Sequence, residues 1–333
     1  VSLGYTGQDG VLLGTSANKY TFRTNVDMKS KRNIINFKFN LSGYRKEIDE
    51  YTKSSSTVIS SIHRAGPTSV FQAQNGLYGY YGMYYAQKEL GGGGKKTQDG
   101  LSGRSQLTLN LFDGFKVIGA FNINYGQTRG TVFAPPLMTA SDLYGDSQTK
   151  QQSYYEVRNI HSFSTTAEAT AHYDKTFNKS HKLSAMAGFS QYKYNYDTEY
   201  ARREDYTDFV PSLMHGSSAT QINSDTQAER ALRSFFARVG YSYKGRYLVE
   251  GNFRADGSSR FKNNKWGYFP SVSAGWRISE ESFFQKIDPK RIVNNLKLRA
   301  SWGMLGNESI SSYYTGYDQI DMEFPYDLNG SVV

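Results

Sequence analysis

The sequence predicts an all-β protein, a transmembrane antiparallel β-barrel, from three observations. Apolar residues recur at every second position in segment after segment, the connections between segments alternate short and long, and charges avoid the apolar positions. Period two is the spacing of side chains on one face of a strand, whereas a helix would show a period of 3.6. A barrel wall meets hydrocarbon on one side and a wet interior on the other, so its strands alternate and average to hydrophilic. The mean hydropathy of −0.62 fits that average.

The segments follow in order. After a strand-like opening at Val1–Tyr5, residues 20–28 set Tyr20, Phe22, Val26 and Met28 against Arg23, Asn25 and Asp27. Residues 35–42 set Ile35, Phe37, Phe39 and Leu41 against Asn36, Lys38 and Asn40. Leu107, Leu109 and Leu111 alternate with Thr108 and Asn110, and Val117, Phe121, Ile123 and Tyr125 oppose Lys116, Asn122 and Asn124. Ala167–Tyr173 alternates with Glu168, Thr170 and His172. Residues 183–196 begin in phase at Leu183–Phe189 and then lose it, the mark of a bulge. Phe235–Tyr241 alternates around Arg238; Tyr247, Val249 and Phe253 around Glu250 and Arg254; Val272, Ala274 and Trp276 around Arg277; Leu296–Trp302 around Lys297 and Arg299. With the opening this makes about eleven strands.

Short links fall at Lys29–Arg32, Asp113-Gly114, Asn178–Ser180 and Lys244-Gly245, and long ones near 46–102, 128–156, 197–230 and 258–267. A barrel has short periplasmic turns and long extracellular loops, so strands ending near Tyr44, Tyr125, Tyr196 and Gly257 are predicted to run outward. The link at 279–294 reads as a short helix, with Ser279 as cap, Glu280 and Glu281 in its first turn and Pro289 beyond. Tyr20, Tyr125, Tyr241, Tyr243, Trp276 and Trp302 stand near strand ends, as an interfacial girdle requires. A water-soluble sandwich also alternates; loop parity and the charge-free face favour the barrel.

The chain has 333 residues, no Cys and a net charge of +9, with basic residues dispersed rather than in runs. That excludes disulfides and thiolate chemistry and argues against nucleic acid as a partner. No signal peptide opens the chain, as in a processed or partial protein. The histidines His63, His161, His172, His181 and His215 show no metal-ligand spacing and read as loop or interior polar residues. Gly91–Gly94 before Lys95-Lys96-Thr97 lacks the first glycine of a phosphate loop and reads as a flexible tip. Asp142, Asp146, Asp205 and Asp208 have no calcium-loop spacing. No catalytic residue, metal ligand or cofactor is expected.

Arg254–Phe261 (RADGSSRF), Trp266–Glu281 (WGYFPSVSAGWRISEE), Asn295–Gly303 (NLKLRASWG) and Gly306-Asn307 closely resemble the mid-barrel signature of SusC/RagA-type TonB-linked outer-membrane proteins. Arg238–Leu248 and Ser2–Gly10 resemble the same family. The resemblance is strong over 232–310, moderate over 1–44 and 100–195, and poor in the long loops. It implies a bacterial outer-membrane location and a 22-stranded barrel with an N-terminal plug, of which the eleven strands read here are roughly half. The plug, the TonB-contacting segment and the later strands would lie outside these 333 residues. It also implies TonB-driven active import of a bulky nutrient, an oligosaccharide first and a peptide second, with a SusD-like surface lipoprotein as partner. A passive porin or an adhesin barrel is the alternative, and a secreted glycan-binding β-protein a third reading.

Two residue groups are candidates for function. Arg23, Lys38, Glu168, Arg238, Glu250, Arg254, Arg277 and Arg299 lie on the polar faces and are predicted to line the lumen, chiefly against plug or water. Tyr78, Tyr80, Tyr81, Tyr84 and Tyr85 in the longest loop are predicted either to contact ligand or lid, or to pack locally and order the loop.

Overall fold

The computed structural model describes residues 1–287, 292–308, 310, 313–314, 327–328 and 331–332. Its strands are β1 (Ser2–Asp9), β2 (Ser16–Lys29), β3 (Ile35–Glu50), β4 (Gly93–Phe112), β5 (Phe115–Ala134), β6 (Leu137–Ala140), β7 (Gln148–Gln151) and β8 (Tyr154–Phe177). They continue as β9 (His181–Glu204), β10 (Ile222–Tyr243), β11 (Tyr247–Ser258), β12 (Trp266–Arg277), β13 (Lys297–Gly303), β14 (Asp327–Leu328) and β15 (Ser331–Val332). One sheet of 11 strands runs β1-β2-β3-β4-β5-β8-β9-β10-β11-β12-β13, with β6-β7 and β14-β15 as separate hairpins. Apart from the β6–β7 excursion, every strand of the 11-stranded sheet pairs with its neighbour in sequence, the meander expected of a barrel wall. No helix among the described residues is long and apolar enough to cross a membrane.

The tight turns are set by local chemistry. Asn178 and Lys179 both take positive φ, 46° and 57°, as do Lys244 and Gly245 at 50° and 67°. Two successive residues of that kind make the hairpin whose twist matches the flanking strands. Tyr243 closes the second turn by accepting from the Arg246 amide at 2.9 Å.

Packing divides the chain into two compact units: Val1–Asn110 with Ile118–Ala167 and Tyr194–Glu229, and Leu111–Val117 with Glu168–Lys193 and Arg230–Val333. In the first, the register makes apolar rows of Met28–Phe37–Leu107 and Leu3–Phe22–Gly43–Leu101. A Cβ on Gly43 would sit 2.5 Å from the Phe22 ring, which therefore lies over the bare backbone. The same face ends at the Tyr5–Tyr20 ring pair, 5.2 Å apart, whose row continues into Arg45 and Asp99, an ion pair at 2.8 Å. In the second unit Tyr241–Val249–Ala274–Ala300 and Val239–Gly251–Val272–Trp302 make equivalent rows. Val239, Val249 and Val272 are 53%, 51% and 47% exposed, so this chain leaves the face bare.

From Tyr20 to Met28, and again from Phe235 to Tyr243, the apolar band is eight steps long, about 27 Å of strand at about 3.3 Å per residue. Tilted by about 40°, that spans about 20 Å of depth, near the roughly 25 Å apolar band of outer-membrane barrels. A slip of one residue would turn Arg238 and Glu250 to hydrocarbon, and a charge at mid-depth there costs about 2–4 kcal/mol. The alternation thus fixes the register.

The strands run further than their alternation shows. β3 continues to Glu50, β5 to Ala134 and β9 to Glu204, which shortens the long connections to 51–92, 135–153 and 205–221. Beyond the Tyr5–Tyr20 row both faces meet water, so the contrast between them vanishes while pairing persists. β9 is also unbroken where loss of phase suggested a bulge.

In the first unit the long connections fold into a lobe, and the deepest burial of the unit lies there rather than between strands. Tyr51, Val58, Met83, Ala86, Phe133, Tyr154 and Tyr206 are among its buried side chains. Helix α1 (Ser55–Arg64) starts at Ser54, whose hydroxyl accepts from the Thr57 amide at 3.3 Å, and ends with His63 and Arg64 near its negative pole. Helix α2 (Met83–Glu89) buries Met83, Ala86 and Gln87, and Gln87 accepts from the buried Thr52 hydroxyl at 2.7 Å. Ser153 and Tyr206 exchange hydrogen bonds at 2.8 and 3.2 Å, and Arg202 stacks on the Tyr154 ring at 3.9 Å.

In the second unit the 279–294 link differs from expectation. Helix α3 (Ser282–Ile287) begins too late for Ser279 to be its cap, and Pro289 lies outside the described residues. Glu281, just before the helix, instead accepts from the Trp276 indole at 3.1 Å and from Arg246 at 3.3 Å. With the Tyr247 hydroxyl as the main cause and the indole next, these bonds hold its carboxyl below the usual range.

Candidate functional site

The polar face of the sheet carries the candidate residues, and register assigns them to it. In the second unit Arg238 pairs in row with Asn252 and Ser271, and Glu250 with Gly240, Ser273 and Ser301. Arg238 ion-pairs with Glu250, which also accepts from Asn252 at 3.2 Å. Arg254 binds Asp256 at 2.8 Å, reaches Ser234 at 3.0 Å and stacks over Phe236 at 5.7 Å. Arg299 lies with Lys182, Lys297 and Glu250 around one shallow concavity. Arg277 stands at the tight-turn end, bound to Glu280 at 3.2 Å and to the Gly245 carbonyl at 3.5 Å. Glu168 is half-buried in β8.

In the first unit Arg23 shares a row with Ser2, Ser42 and Ser102, and Lys38 sits 3.6 Å from Asp27. A polar chain runs from Ser102 to Asn124 at 2.7 Å and on to Ser164 at 3.4 Å, while Arg104 donates to Asn122 and Gln106 at 3.2 Å each. Arg238, Glu250 and Arg254 thus lie on neighbouring strands of one wall, whereas Arg23 and Lys38 sit on β2 and β3. The arrangement offers alternating donors and acceptors along a wet surface; it contains no nucleophile–base pair, and no metal-binding cluster occurs among the described residues.

The loop tyrosines separate by role. Tyr78 and Tyr85 pack with Phe71 in a ring cluster of 5.8–6.1 Å spacing, and the Ala140 amide of β6 donates to the Tyr78 carbonyl at 2.9 Å. Tyr80 and Tyr81 meet edge to face at 5.5 Å; Tyr80 is exposed, and Tyr81 and Tyr84 are half-buried. Among the histidines, His172 lies on the polar face, hydrogen-bonded to Thr170 at 2.9 Å. His181 does not belong to the interior: its ring nitrogen meets the Tyr241 hydroxyl at 2.6 Å on the apolar face, near the tight turns. Gly93 opens β4, so Lys95 and Lys96 project to opposite faces and cradle nothing.

No family model matches the chain. The chain is 28% identical over 332 residues to TonB-dependent receptor P3 of Formosa agariphila, covering 95% of itself and 32% of that protein. It is 46% identical over 80 residues to TonB-dependent receptor SusC of Bacteroides thetaiotaomicron, 24% of this chain and 8% of that one. Its fold superposes on a chain of the RagAB peptide transporter with a TM-score of 0.71 at 19% identity, over 99% of this chain and 38% of that chain. This chain is part of an outer-membrane β-barrel and resembles the SusC/RagA-type TonB-dependent receptors. It spans about a third of the length of the curated relatives that match most of it.

The SusC/RagA-type signature has a physical meaning here that the sequence alone did not disclose. Arg260 of the RADGSSRF stretch is 8% exposed and donates to the Glu308 and Ile310 carbonyls at 3.2 Å each. The Glu308 carboxylate takes Ser258 at 2.7 Å and Arg230 at 3.0 Å. Gly306 fits against Phe269 with no room for a Cβ, which would lie 2.2 Å from the ring. The signature fastens the segment after β13 to the β11–β12 connection. No periodicity announces such a clasp, because its partners are about 50 residues apart.

Proposed function

We propose that the complete protein is a TonB-dependent importer, taking a bulky nutrient across the outer membrane with a SusD-like lipoprotein at its outer face. The observation that carries the reading is the two-faced sheet: one side bears an apolar band edged by aromatics, with its charges beyond the band, and the other is lined with hydrogen-bonding and charged groups. Such a wall encloses a wet path. On this reading the polar-face residues Arg23, Lys38, Glu168, Arg238, Glu250, Arg254, Arg277 and Arg299 face that path. The lobe of long connections is extracellular, with Tyr80 available to ligand or lid. Tyr78 and Tyr85 serve the lobe's own packing. TonB acts through a region outside this chain, and no step is catalytic. Oligosaccharide is the preferred cargo, since the wall is rich in hydroxyls and amides; peptide is the second reading, favoured by the fold likeness to RagAB.

The test is uptake by cells expressing the full-length protein and its neighbouring lipoprotein, with labelled oligosaccharides and peptides, with and without TonB. Import that vanishes without TonB supports the proposal. Equal uptake without TonB marks a passive pore, and no uptake with normal surface display marks an adhesin.

A further inference from the structure

The polar face of the first unit holds an arrangement that the fold does not need. Lys19 of β2 and Lys46 of β3 are direct cross-strand partners, in a row completed by Thr6 and Gln98. Direct partners have Cβ atoms about 5 Å apart on one face, and like charges so placed destabilise a sheet. Arg23 lies two rows away on the same face, and Lys96, beside Ile48, one row the other way. On this face of β1–β4 the carboxylates are Asp27, already 3.6 Å from Lys38, and Glu50. Glu50 stands four residues from Lys46, about 13 Å along the strand. The opposite face shows that the chain can pair such charges, for Arg45, next to Lys46, meets Asp99 at 2.8 Å.

The face is also hollow here. The Tyr44 ring lies over Gly100, where a Cβ would sit 2.3 Å from it, and beside the ring a depression of about 480 Å³ opens between Lys19 and Arg23. Its wall carries the donors Ser2, Thr21, Ser42, Ser102 and Asn124. The Lys19 ammonium stands 5.1 Å from the centre of the Tyr44 ring. Two cations, a row of hydroxyls and one aromatic ring suit a sugar bearing negative charge: the ring takes its C–H face, the hydroxyls its hydroxyls, the cations its acid group.

Resting on the importer reading, we propose that Lys19, Lys46 and Arg23 form an anion subsite of the transport path, taking carboxylate or sulfate groups of an acidic oligosaccharide. The cross-strand lysine pair is kept at a cost in stability because the ligand neutralises it.

Binding of a uronic-acid oligosaccharide and of its methyl ester to the purified full-length protein, by titration calorimetry, tests the subsite. Lys19→Gln/Lys46→Gln should weaken the charged ligand at least tenfold and leave the ester unchanged, while the melting temperature holds or rises. Lys19→Arg/Lys46→Arg should retain binding. Equal loss of both ligands, no change in either, or a fall in melting temperature that the arginine variant does not share would overturn the subsite. Lysine-dependent binding of an acidic peptide but not of the uronate would overturn the ligand class, and an acidic segment of the same protein seated on the lysines would overturn the external ligand. Uptake in the same cells separates the two claims. Lysine-dependent binding without TonB-dependent uptake sinks the importer and spares the subsite; TonB-dependent uptake indifferent to the lysines does the reverse.

Discussion

Two carboxylates outside the spanning part of the sheet show what a single residue does in this chain. Asp142 accepts from four successive backbone amides, Ser147 at 2.6, Gly145 at 2.7, Tyr144 at 2.9 and Asp146 at 3.2 Å. Those donors, Ser147 first, hold its carboxyl below the usual range, so it stays ionised and organises the β6–β7 turn. Asp142→Ala should speed amide exchange at Gly145 and Ser147 at least tenfold at pH 7, with strand amides unchanged. Glu281 is depressed as well, so the stability it contributes is present above the ordinary glutamate range, about pH 4.3, and is lost as pH falls through its lowered value. Thermal melts of the full-length protein between pH 6 and 3 should show an acid loss that Glu281→Gln diminishes; an identical pH profile in the variant would refute this role. Neither residue could be ranked from sequence. In sequence Asp142 is one of four loop aspartates, and Glu281 reads as part of the first turn of a helix that in fact begins after it.

At the level of one strand, the two faces should respond oppositely to the same substitution. Val239 and Ser273 lie in adjacent register rows, one on the apolar side and one on the polar. Val239→Arg should cost about 2–4 kcal/mol and sharply reduce the heat-modifiable, folded band on gels, whereas Ser273→Arg should assemble normally. Equal yields would mean that hydrocarbon does not contact the valine. Strand identity and facing were legible because two solvents impose them: Val239, Val249 and Val272 could be read directly. Strand length was not, since Arg45–Glu50 meet water on both sides. β9 misled for a related reason. Past Phe189 its large residues, Tyr192, Tyr194 and Tyr196, move to the parity of Gly188, whose Cβ position faces Phe236 and Thr170 on the polar side. An aromatic row thus crossed to the wet face while the backbone ran on, and composition alone could not tell that from a bulge.

For the molecule as a whole, membrane wall and lobe should fail separately. Tyr206 is 1% exposed, with its hydroxyl on the Ser212 carbonyl at 2.7 Å and its ring edge to face with Phe133 at 5.6 Å. Tyr206→Ala removes a buried aromatic worth about 3–5 kcal/mol. Protease should then cut within 51–92, 135–153 and 205–221, while the sheet remains detergent-resistant and membrane-bound. Simultaneous loss of both would show one cooperative body. The lobe was the least legible part of the fold. Its contacts join three connections far apart in sequence, and Phe71, Tyr78, Phe133 and Tyr206 follow no period.

The extension of β3 past its girdle has one more consequence. Below Tyr20 every second position answers to lipid, but from Arg45 to Glu50 neither side does, although the backbone is as firmly paired there as anywhere. That rim is a rigid scaffold with no solvent constraint on its decoration. Inherited variation among close relatives should therefore gather on regular strand there, along the same few rungs of ladder rather than in loops alone.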